Sequence, residues 1–523
     1  MNLVSIASAL LFTAMLPAPA VAENLLVPLS EKKWDDAAAV HLLRRAAFEG
    51  TPTEVRRLSR MKLAEAVDYL VNYDSLPQPA TELLLDPKLC QPPPREWLKQ
   101  QNEETRRRYR QTRNMGDRLQ IGRVRAWWLE RMITSPRQLE EKMTLFWHSH
   151  FTSGYREVRS SYLLYEQNRL FRDFALGNYR DMLVLVSADP AMLIYLDSAK
   201  NNKKRPNENY ARELMELFTL GEGNYTEYDI KEAARAFTGW SVEAGKFKFR
   251  RGQHDFGIKT FKKQEGHWNG EDIIDIILQD QRSHRFIVSK LWEFFCYENP
   301  EKPIIDGLSA TLRKNDFDIK PVVRQVLMSR GFYSARARGR KIKSPVQLTV
   351  GTLRLLGIQD CDYVALDRAQ AAMGQQLFQP PNVKGWDGGE KWINTATVFN
   401  RYNFCGAAVN GHEGKPQRGM IVQIAKYADE FGFIKPEQRE NIGLPEYNPS
   451  AIMAERGLTT PKDIVGFFAR RLLAVKMPDD RRAKLVTFVA GEDGGFRPSR
   501  RQDMHRVRTM IHLLMSTPEY QLY

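Results

Sequence analysis

Six signals for the start of a helix are spread over the whole chain. In four of them a serine or threonine precedes a proline, and an acidic or amide residue follows three positions after the hydroxyl. Such a hydroxyl caps the free backbone N–H groups of a helix, and proline suits the first helical position. The signals lie at Thr51-Pro52, Ser135-Pro136, Ser344-Pro345, Thr460-Pro461, Thr226 and Asn269. Helical periodicity of apolar residues follows each signal, so the sequence predicts a mainly α-helical fold.

The remaining patterns predict small additions to this helical body. In 246–262, phenylalanines alternate with polar residues on either side of a polar turn, which predicts a β-hairpin. The Pro- and Gly-rich stretch 379–394 predicts a long ordered loop, and 410–418 predicts a linker. We expect a large multi-helix globular body over residues 23–523 with a small β-hairpin insertion. It is built as one domain, or as two lobes joined at the linker.

Residues 1–22 have the character of a secretory signal peptide. The stretch 3–20 is uncharged, contains two prolines and leads to Ala20-Val21-Ala22, a small-x-small cleavage pattern. We therefore expect an exported protein, periplasmic or extracellular, whose mature part has no membrane-spanning segment. An uncleaved N-terminal anchor is the alternative.

Charge and composition limit the class of partner. The 523 residues include 78 Lys and Arg against 63 Asp and Glu, a formal charge of +15, and 42 % of them are hydrophobic. This hydrophobic content excludes a disordered chain, and export excludes nucleic acid as the partner of the positive charge. The four cysteines are too few for a disulfide scaffold and are not spaced like metal ligands. Cys296 and Cys405 lie among aromatic residues, which predicts buried free thiols.

One predicted helix carries a candidate metal site. His148 and His150 lie at its end, and Glu141 precedes His148 by two turns on the same face. Imidazole and carboxylate are ligands of Zn, Fe or Mn, so a divalent metal is the candidate cofactor. Residues two apart on a helix point about 200° apart, so both histidines can bind one ion only where the helix ends or bends. The alternative is a helix end whose imidazoles bond to the backbone.

Three further residues are candidates for catalysis. Glu213 and Glu216 are neighbours on one helix face, where one carboxyl group can act as an acid while the other stays ionised. The alternative is a network with Arg212, or a solvated face. His254 lies on the predicted hairpin, as a metal ligand or an acid–base group. Adjacent side chains of a strand point to opposite faces, so Asp255 is not expected to orient His254.

The predicted loop 379–394 contains a candidate recognition site. Trp386 and Trp392 flank Asp387, and aromatic rings beside a carboxylate can stack on sugar rings and bond their hydroxyl groups. The alternative is a loop that is attached to the body by its own tryptophans.

Two basic clusters are candidates for binding polyanions. Residues 101–137 contain ten arginines and four acidic residues, and 330–343 contain six basic residues and no acidic one. The candidate side chains are those of Arg106, Arg107, Arg108, Arg336, Arg338 and Arg340. In an exported protein such clusters suit an acidic polysaccharide or another envelope polyanion. The alternative is an ordinary solvated surface.

Seven sequence blocks occur in one order along the chain. They are HLLRRAAF (41–48), FWHSHF (146–151), NENYARELMELFTLG (207–221), DIKEAARAFTGW (229–240), QHDFGIKT (253–260), FQPPNVKGWDGGEKWIN (378–394) and LLMSTPEYQ (513–521). With these blocks the chain resembles the bacterial family named domain of unknown function 1800. The resemblance implies export, a large helical body and a frequent gene neighbourhood with an exported phosphatase- or sulfatase-like protein, which is thereby a candidate partner. It implies no established activity.

Two functions stay open at this point. The first is a non-catalytic binding or assembly factor for an acidic envelope polymer or for the exported partner. The second is a metal-dependent hydrolase that uses the His and Glu candidates, with a metal-bound water as the nucleophile. The chain has no Gly-rich phosphate loop and no GxSxG, HExxH or CxxC motif, which favours the first function.

Overall fold

The computed structural model describes residues 24–79, 83–90, 93, 95–411, 443–491 and 495–523. The predicted signal peptide and residues 412–418 of the predicted linker lie outside this part of the chain. The described part contains 23 α-helices and two antiparallel sheets of two strands each. The prediction of a mainly α-helical body with a small β element is therefore confirmed.

Twelve helices precede the strands. They are α1 (Asp36–Ala46), α2 (Pro52–Ser59), α3 (Leu63–Val71), α4 (Arg95–Gln100), α5 (Glu103–Thr134), α6 (Gln138–His150), α7 (Tyr155–Val158), α8 (Ser161–Asp173), α9 (Tyr179–Ala188), α10 (Pro190–Tyr195), α11 (Asn209–Glu213) and α12 (Glu227–Ala236). A π-helix, Leu214–Thr219, continues α11 directly.

Eleven helices follow the strands. They are α13 (Gly270–Gln279), α14 (Gln281–Phe295), α15 (Lys302–Lys314), α16 (Ile319–Met328), α17 (Pro345–Leu356), α18 (Tyr363–Ala372), α19 (Thr395–Asn410), α20 (Ser450–Glu455), α21 (Pro461–Leu472), α22 (Asp479–Ala490) and α23 (Arg501–Met515). Across the described ranges, no helix combines the length and the apolar character that crossing a membrane requires.

The β element differs in detail from the predicted hairpin. Strand β1 (Trp240–Glu243) pairs with β2 (Lys246–Phe249), and β3 (Lys259–Phe261) pairs with β4 (Gln264–Gly266). The predicted pairing across the turn of 246–262 is therefore wrong. Each strand pairs with its nearest neighbour instead, across the two-residue turn Ala244-Gly245 or Lys262-Lys263, where all four residues have positive φ.

Five of the six predicted helix starts are confirmed, and each cap side chain accepts a hydrogen bond from the backbone N–H three residues later. These caps are Thr51, Thr226, Asn269, Ser344 and Thr460. The prediction at Ser135 is wrong, because α6 begins only at Gln138. Ser135 ends α5, and the amide of Gln138 donates to the carbonyl groups of Met132 (3.0 Å) and Ser135 (2.7 Å) there.

The interior contains two hydrophobic clusters. The first is built mainly from α1, α3, α6, α9 and α13–α16, and the second from α5, α17, α19, α21 and α23. Helix α6 belongs to both, with Trp147 in the first cluster and Leu145 in the second. Cys296 and Cys405 are buried free thiols, which confirms that prediction, and burial raises the pKa of Cys405 to about 12.

Two buried arginines of α1 connect distant parts of the chain. Arg45 donates from Nε to the carbonyl oxygen of Phe295 at 2.8 Å and from Nη1 to the main-chain oxygen of Tyr523 at 3.3 Å. Arg44 donates to the carbonyl oxygens of Arg471 and Leu473, both at 2.8 Å. Buried carbonyl groups need such donors, so the block HLLRRAAF fixes segments that lie more than 200 residues away in the sequence.

Glu49 supplies the negative charge beside these arginines. Its carboxylate is 3.0 Å from Arg44 Nε and 3.1 Å from Lys343 Nζ, and all three side chains are buried. Burial disfavours the ionised carboxylate, but Lys343 and Arg44 outweigh this effect and hold the pKa of Glu49 below its usual value. Two buried cations thus depend on a single carboxylate.

We expect Glu49→Gln to lower the free energy of unfolding by about 3–5 kcal/mol at neutral pH, because two buried cations lose their counter-ion. The measurement is urea unfolding. Glu166→Gln is the matched control, since the Glu166–Arg169 pair is solvent-exposed and should contribute less than about 1 kcal/mol.

Comparison of the wild type with Glu49→Gln also tests the pH dependence of stability. Because the folded pKa of Glu49 lies below the ordinary 4.5, its contribution is complete above that pH and is lost as the pH falls through the folded pKa. The difference between wild type and Glu49→Gln should therefore narrow below pH 4.5. A difference that stays constant to lower pH would contradict a role for the carboxylate charge.

Candidate functional site

His148 connects α6 to the loop that contains Trp386. Its Nε2 accepts a hydrogen bond from the backbone N–H of Phe378 at 3.1 Å, and its ring contacts Trp128, Phe378 and Trp386. Burial lowers the pKa of His148 to about 3, so the imidazole stays neutral. Its lone pair is used to hold the loop.

His150 bonds to another part of the chain. Its Nε2 lies 3.1 Å from the carbonyl oxygen of Phe218, to which it donates, and burial together with Lys290 lowers the pKa of the imidazole to about 3. Helix α6 continues to His150, so no bend separates it from His148. The helix ends at His150, but both histidines still lie within it, and each imidazole bonds to the backbone as in the alternative that the sequence left open.

Glu141, the carboxylate predicted beside these histidines, is enclosed by donors. Trp128 Nε1 donates to it at 3.0 Å, Arg131 Nε at 2.7 Å and Arg172 Nη2 at 3.0 Å. Burial disfavours its charge, but Arg172 and Arg131 prevail and lower the pKa of Glu141. Among the residues that the structure describes, no three His, Cys, Asp or Glu side chains are grouped so that they could hold a metal ion.

Glu213 and Glu216 lie where α11 becomes a π-helix. Both are half-buried, and Tyr225 donates its hydroxyl hydrogen to Glu216 Oε2 at 2.6 Å. Burial and the charge of Glu216 raise the pKa of Glu213. Arg212 turns away to a bidentate pair with Glu227 at 2.8 Å. The two glutamates are therefore close, but the predicted α-helical spacing does not apply in the wider π turn.

The loop predicted at 379–394 packs on the end of α6. Gly385 has a φ of +84°, and a Cβ there would lie 2.9 Å from the carbonyl oxygen of Ser149. Trp392 is 8 % exposed, Trp386 is half-buried against His148, and Asp387 is exposed. The tryptophans attach the loop to the body, and the ring of Trp392 is too deeply buried to stack on a ligand.

The predicted basic cluster 330–343 is largely bound within the protein. Arg336 pairs with Glu301 and lies over the ring of Tyr297, 4.2 Å from its centre. Arg338 is half-buried and donates to the carbonyl oxygen of Tyr333 at 3.1 Å, whereas Arg336 and Arg340 are both exposed. Two of the three candidate arginines therefore already have partners within the protein.

The other predicted cluster lies on one helix. Arg106, Arg107 and Arg108 are consecutive residues of α5, so their side chains leave the helix in directions about 100° apart. Of these three, Arg107 is exposed and the other two are half-buried. The three arginines therefore do not form one binding face.

A surface that the sequence analysis did not identify lies around β2. We define the hairpin surface as β2, the turn 250–258 and the segment 203–205. The backbone N–H of Lys203 donates to the carbonyl oxygen of Gln253 at 2.8 Å, which places that segment beside the turn. Four large apolar side chains are exposed here, Phe247 (39 %), Phe249 (42 %), Phe256 (51 %) and Ile258 (52 %).

Seven cations belong to the hairpin surface. They are Lys203, Lys204, Arg205, Lys246, Lys248, Arg250 and Arg251. All are exposed, and within the described residues none of their side chains forms an ion pair or donates a hydrogen bond. The sequence signal for this surface was the alternation of basic and aromatic residues in KFKFRR (246–251), which predicted a strand but was not interpreted as a binding pattern.

The motif Thr238-Gly239-Trp240 holds the turn of this surface in place. Gly239 has a φ of +83°, and a Cβ there would lie 2.8 Å from the carbonyl oxygen of Arg250. His254 donates from Nδ1 to the carbonyl oxygen of Thr238 at 2.7 Å, while the backbone N–H of Asp255 donates to Thr238 Oγ1 at 2.8 Å. Only glycine allows the two segments this close approach.

One buried and two half-buried ionic groups complete the support of the turn. Arg235 Nε is 2.8 Å from Asp255 Oδ2, and Lys259 Nζ donates to the carbonyl oxygens of Asp255 at 2.7 Å and Gly257 at 3.0 Å. His254 is 4 % exposed, and burial lowers the pKa of its imidazole. His254, predicted as a catalytic group, is therefore a neutral support of the turn in this structure.

A family model described as "Protein of unknown function (DUF1800)" matches residues 41–522. The chain belongs to this family. The resemblance seen in the seven sequence blocks is thereby confirmed. No curated protein and no solved structure gave a match to the chain. The matched region of this DUF1800 chain includes α6, the π-helix, the loop 379–394 and the whole hairpin surface.

We expect His148→Ala in this DUF1800 chain to lower the free energy of unfolding by about 3 kcal/mol, because it leaves a cavity and an unpaired N–H at Phe378. The measurement is urea unfolding with and without a metal chelator, and the loss should be equal in both. His505→Ala, at an exposed position, is the control and should change stability by less than about 0.5 kcal/mol. Destabilisation of the wild type by the chelator would instead favour a metal centre.

Proposed function

We propose that this protein is a non-catalytic binding factor that attaches to an acidic polymer of the cell envelope through the hairpin surface. The observation that carries the proposal is the group of seven exposed cations without ion pairs. Like charges gathered on one surface raise the local concentration of a polyanion and speed its association. The predicted export of the chain favours an envelope polymer as the ligand.

Several exposed cations elsewhere on the protein have acidic partners close by. Arg180 pairs with Asp275 and Arg324 with Asp68, each with a shortest N–O distance of 2.6 Å. At the hairpin surface, Asp255 already binds Arg235, so its charge is compensated. The positive potential of the seven cations is therefore left for a ligand from outside.

The candidate residues for hydrolysis favour the same conclusion. His148, His150 and Glu141 each bond to the protein itself, where they hold the loop, the π-helix and two arginines. The support of the turn, by contrast, holds in place the backbone that carries several of the exposed cations, which lowers the entropic cost of binding. These contacts support binding rather than metal-assisted hydrolysis.

The test compares two variants of equal net charge for their affinity to polygalacturonate, an acidic polysaccharide. Lys203→Gln/Lys204→Gln/Arg205→Gln should bind about tenfold more weakly than the wild type at low salt, a loss of about 1.4 kcal/mol. Its affinity should also depend less steeply on salt, because fewer counter-ions are displaced. The measurement is a dissociation constant over a series of salt concentrations.

The matched control is Lys32→Gln/Lys33→Gln/Lys462→Gln, which removes three exposed cations elsewhere. Its affinity should stay within twofold of the wild type. Equal losses in both triple variants would show that net charge alone attracts the polymer, and no loss in the first would contradict a role for the hairpin surface.

A further inference from the structure

We propose that the ligand of the hairpin surface is a carboxylated polysaccharide whose sugar rings stack on Phe249 and Phe256. This inference rests on the proposed function, because it takes the seven cations as the binding site for the anionic groups. It adds the apolar part of the ligand, which the charges alone leave undefined.

The two phenylalanine rings are held on either side of His254. The ring centres of Phe249 and His254 are 5.3 Å apart, and those of His254 and Phe256 are 4.6 Å apart. The imidazole meets the two rings at 64° and 76°, in edge-on contacts that fix ring orientation. Each phenylalanine thus covers part of His254 and leaves about half of its own surface to solvent.

A third ring extends this aromatic row. Phe247 lies on the same face of β2 as Phe249, because side chains two apart in a strand share a face. Its ring centre is 5.2 Å from that of Trp240, which is itself buried. Lys246 and Lys248 leave the opposite face of the strand. A cation at the row itself is Arg251, whose guanidinium carbon lies 5.3 Å from the centre of the Phe256 ring.

The exposure of these phenylalanines is unfavourable in water, and a bound ligand that covers them would remove this penalty. Exposed phenylalanines lose the hydrophobic free energy that burial provides, and the turn that carries Phe256 is fixed by Thr238, Asp255 and Lys259. A ligand for this surface must bring apolar faces and negative charges in one molecule. The C–H faces of sugar rings are apolar, and a uronic acid has its carboxylate at the ring edge.

Other anionic partners lack the combination of flat apolar faces and negative charges. Polyphosphate has the charge but no apolar face, so it would use only the cations. An anionic bilayer would accept apolar side chains of any shape, because insertion depends on apolar area. A sugar ring needs a flat aromatic face. Replacement of phenylalanine by leucine therefore separates the three kinds of partner.

The deciding variant is Phe249→Leu/Phe256→Leu, which keeps apolar side chains and all charges. Its dissociation constant for oligogalacturonate should be about tenfold higher than that of the wild type, because two flat faces are lost. Its affinity for polyphosphate of equal charge, and the dependence of both affinities on salt, should be unchanged. Phe399→Leu/Phe488→Leu replaces two exposed rings elsewhere and should bind both probes like the wild type.

Two results would overturn the inference. Unchanged oligogalacturonate affinity in Phe249→Leu/Phe256→Leu would show that the rings do not stack on sugars. Tight binding of the wild type and of this variant to phosphatidylglycerol vesicles, with weak binding to oligogalacturonate, would identify a membrane as the partner. Failure of the proposed function itself has another signature, since Lys203→Gln/Lys204→Gln/Arg205→Gln would then bind both oligogalacturonate and polyphosphate as tightly as the wild type.

Discussion

The buried arginine pair of α1 is the contact on which the tertiary structure depends. Arg44 and Arg45 place two guanidinium groups in the interior, where each needs acceptors in several directions. The chain supplies backbone carbonyl groups at Phe295 and Leu473, and the carboxylate of Glu49 balances Arg44 together with Lys343. An unpaired buried cation is far more costly than a lost surface contact, so these segments are held in one arrangement.

The hairpin surface also depends on inward-pointing polar groups that are paired with backbone atoms. Here the hydrogen-bonding groups of Thr238, His254 and Lys259 point inward and are paired with the turn. The apolar rings and unpaired cations are left facing water. The exposed rings are poorly solvated, and the cations around them are free to attract anionic groups, which is the physical basis for the ligand that we propose.

The helix starts were predictable because a cap is a local contact. Thr51 and Ser344 bond the backbone three residues ahead, and the four-residue pattern already contains both partners. The role of His254 was not predictable in this way. Its partner Thr238 lies sixteen residues earlier, and the contact exists because Gly239 allows the turn to approach. Residue type suggested a metal ligand at His148, but its neighbours in the structure are the rings of Trp128 and Phe378.

The sequence by itself determined the helical class, five of the caps, the burial of two free thiols and membership of the DUF1800 family. These properties follow from periodicity, from short-range patterns and from the order of the sequence blocks, all of which can be recognised in the amino-acid sequence without knowing which residues meet in space. Only the tertiary structure decided that Arg336 forms an ion pair with Glu301, whereas Lys203 and Arg250 lie on the same hairpin surface without an ion pair. Ion pairing depends on distance in space, and residues such as these are brought together or kept apart only by packing.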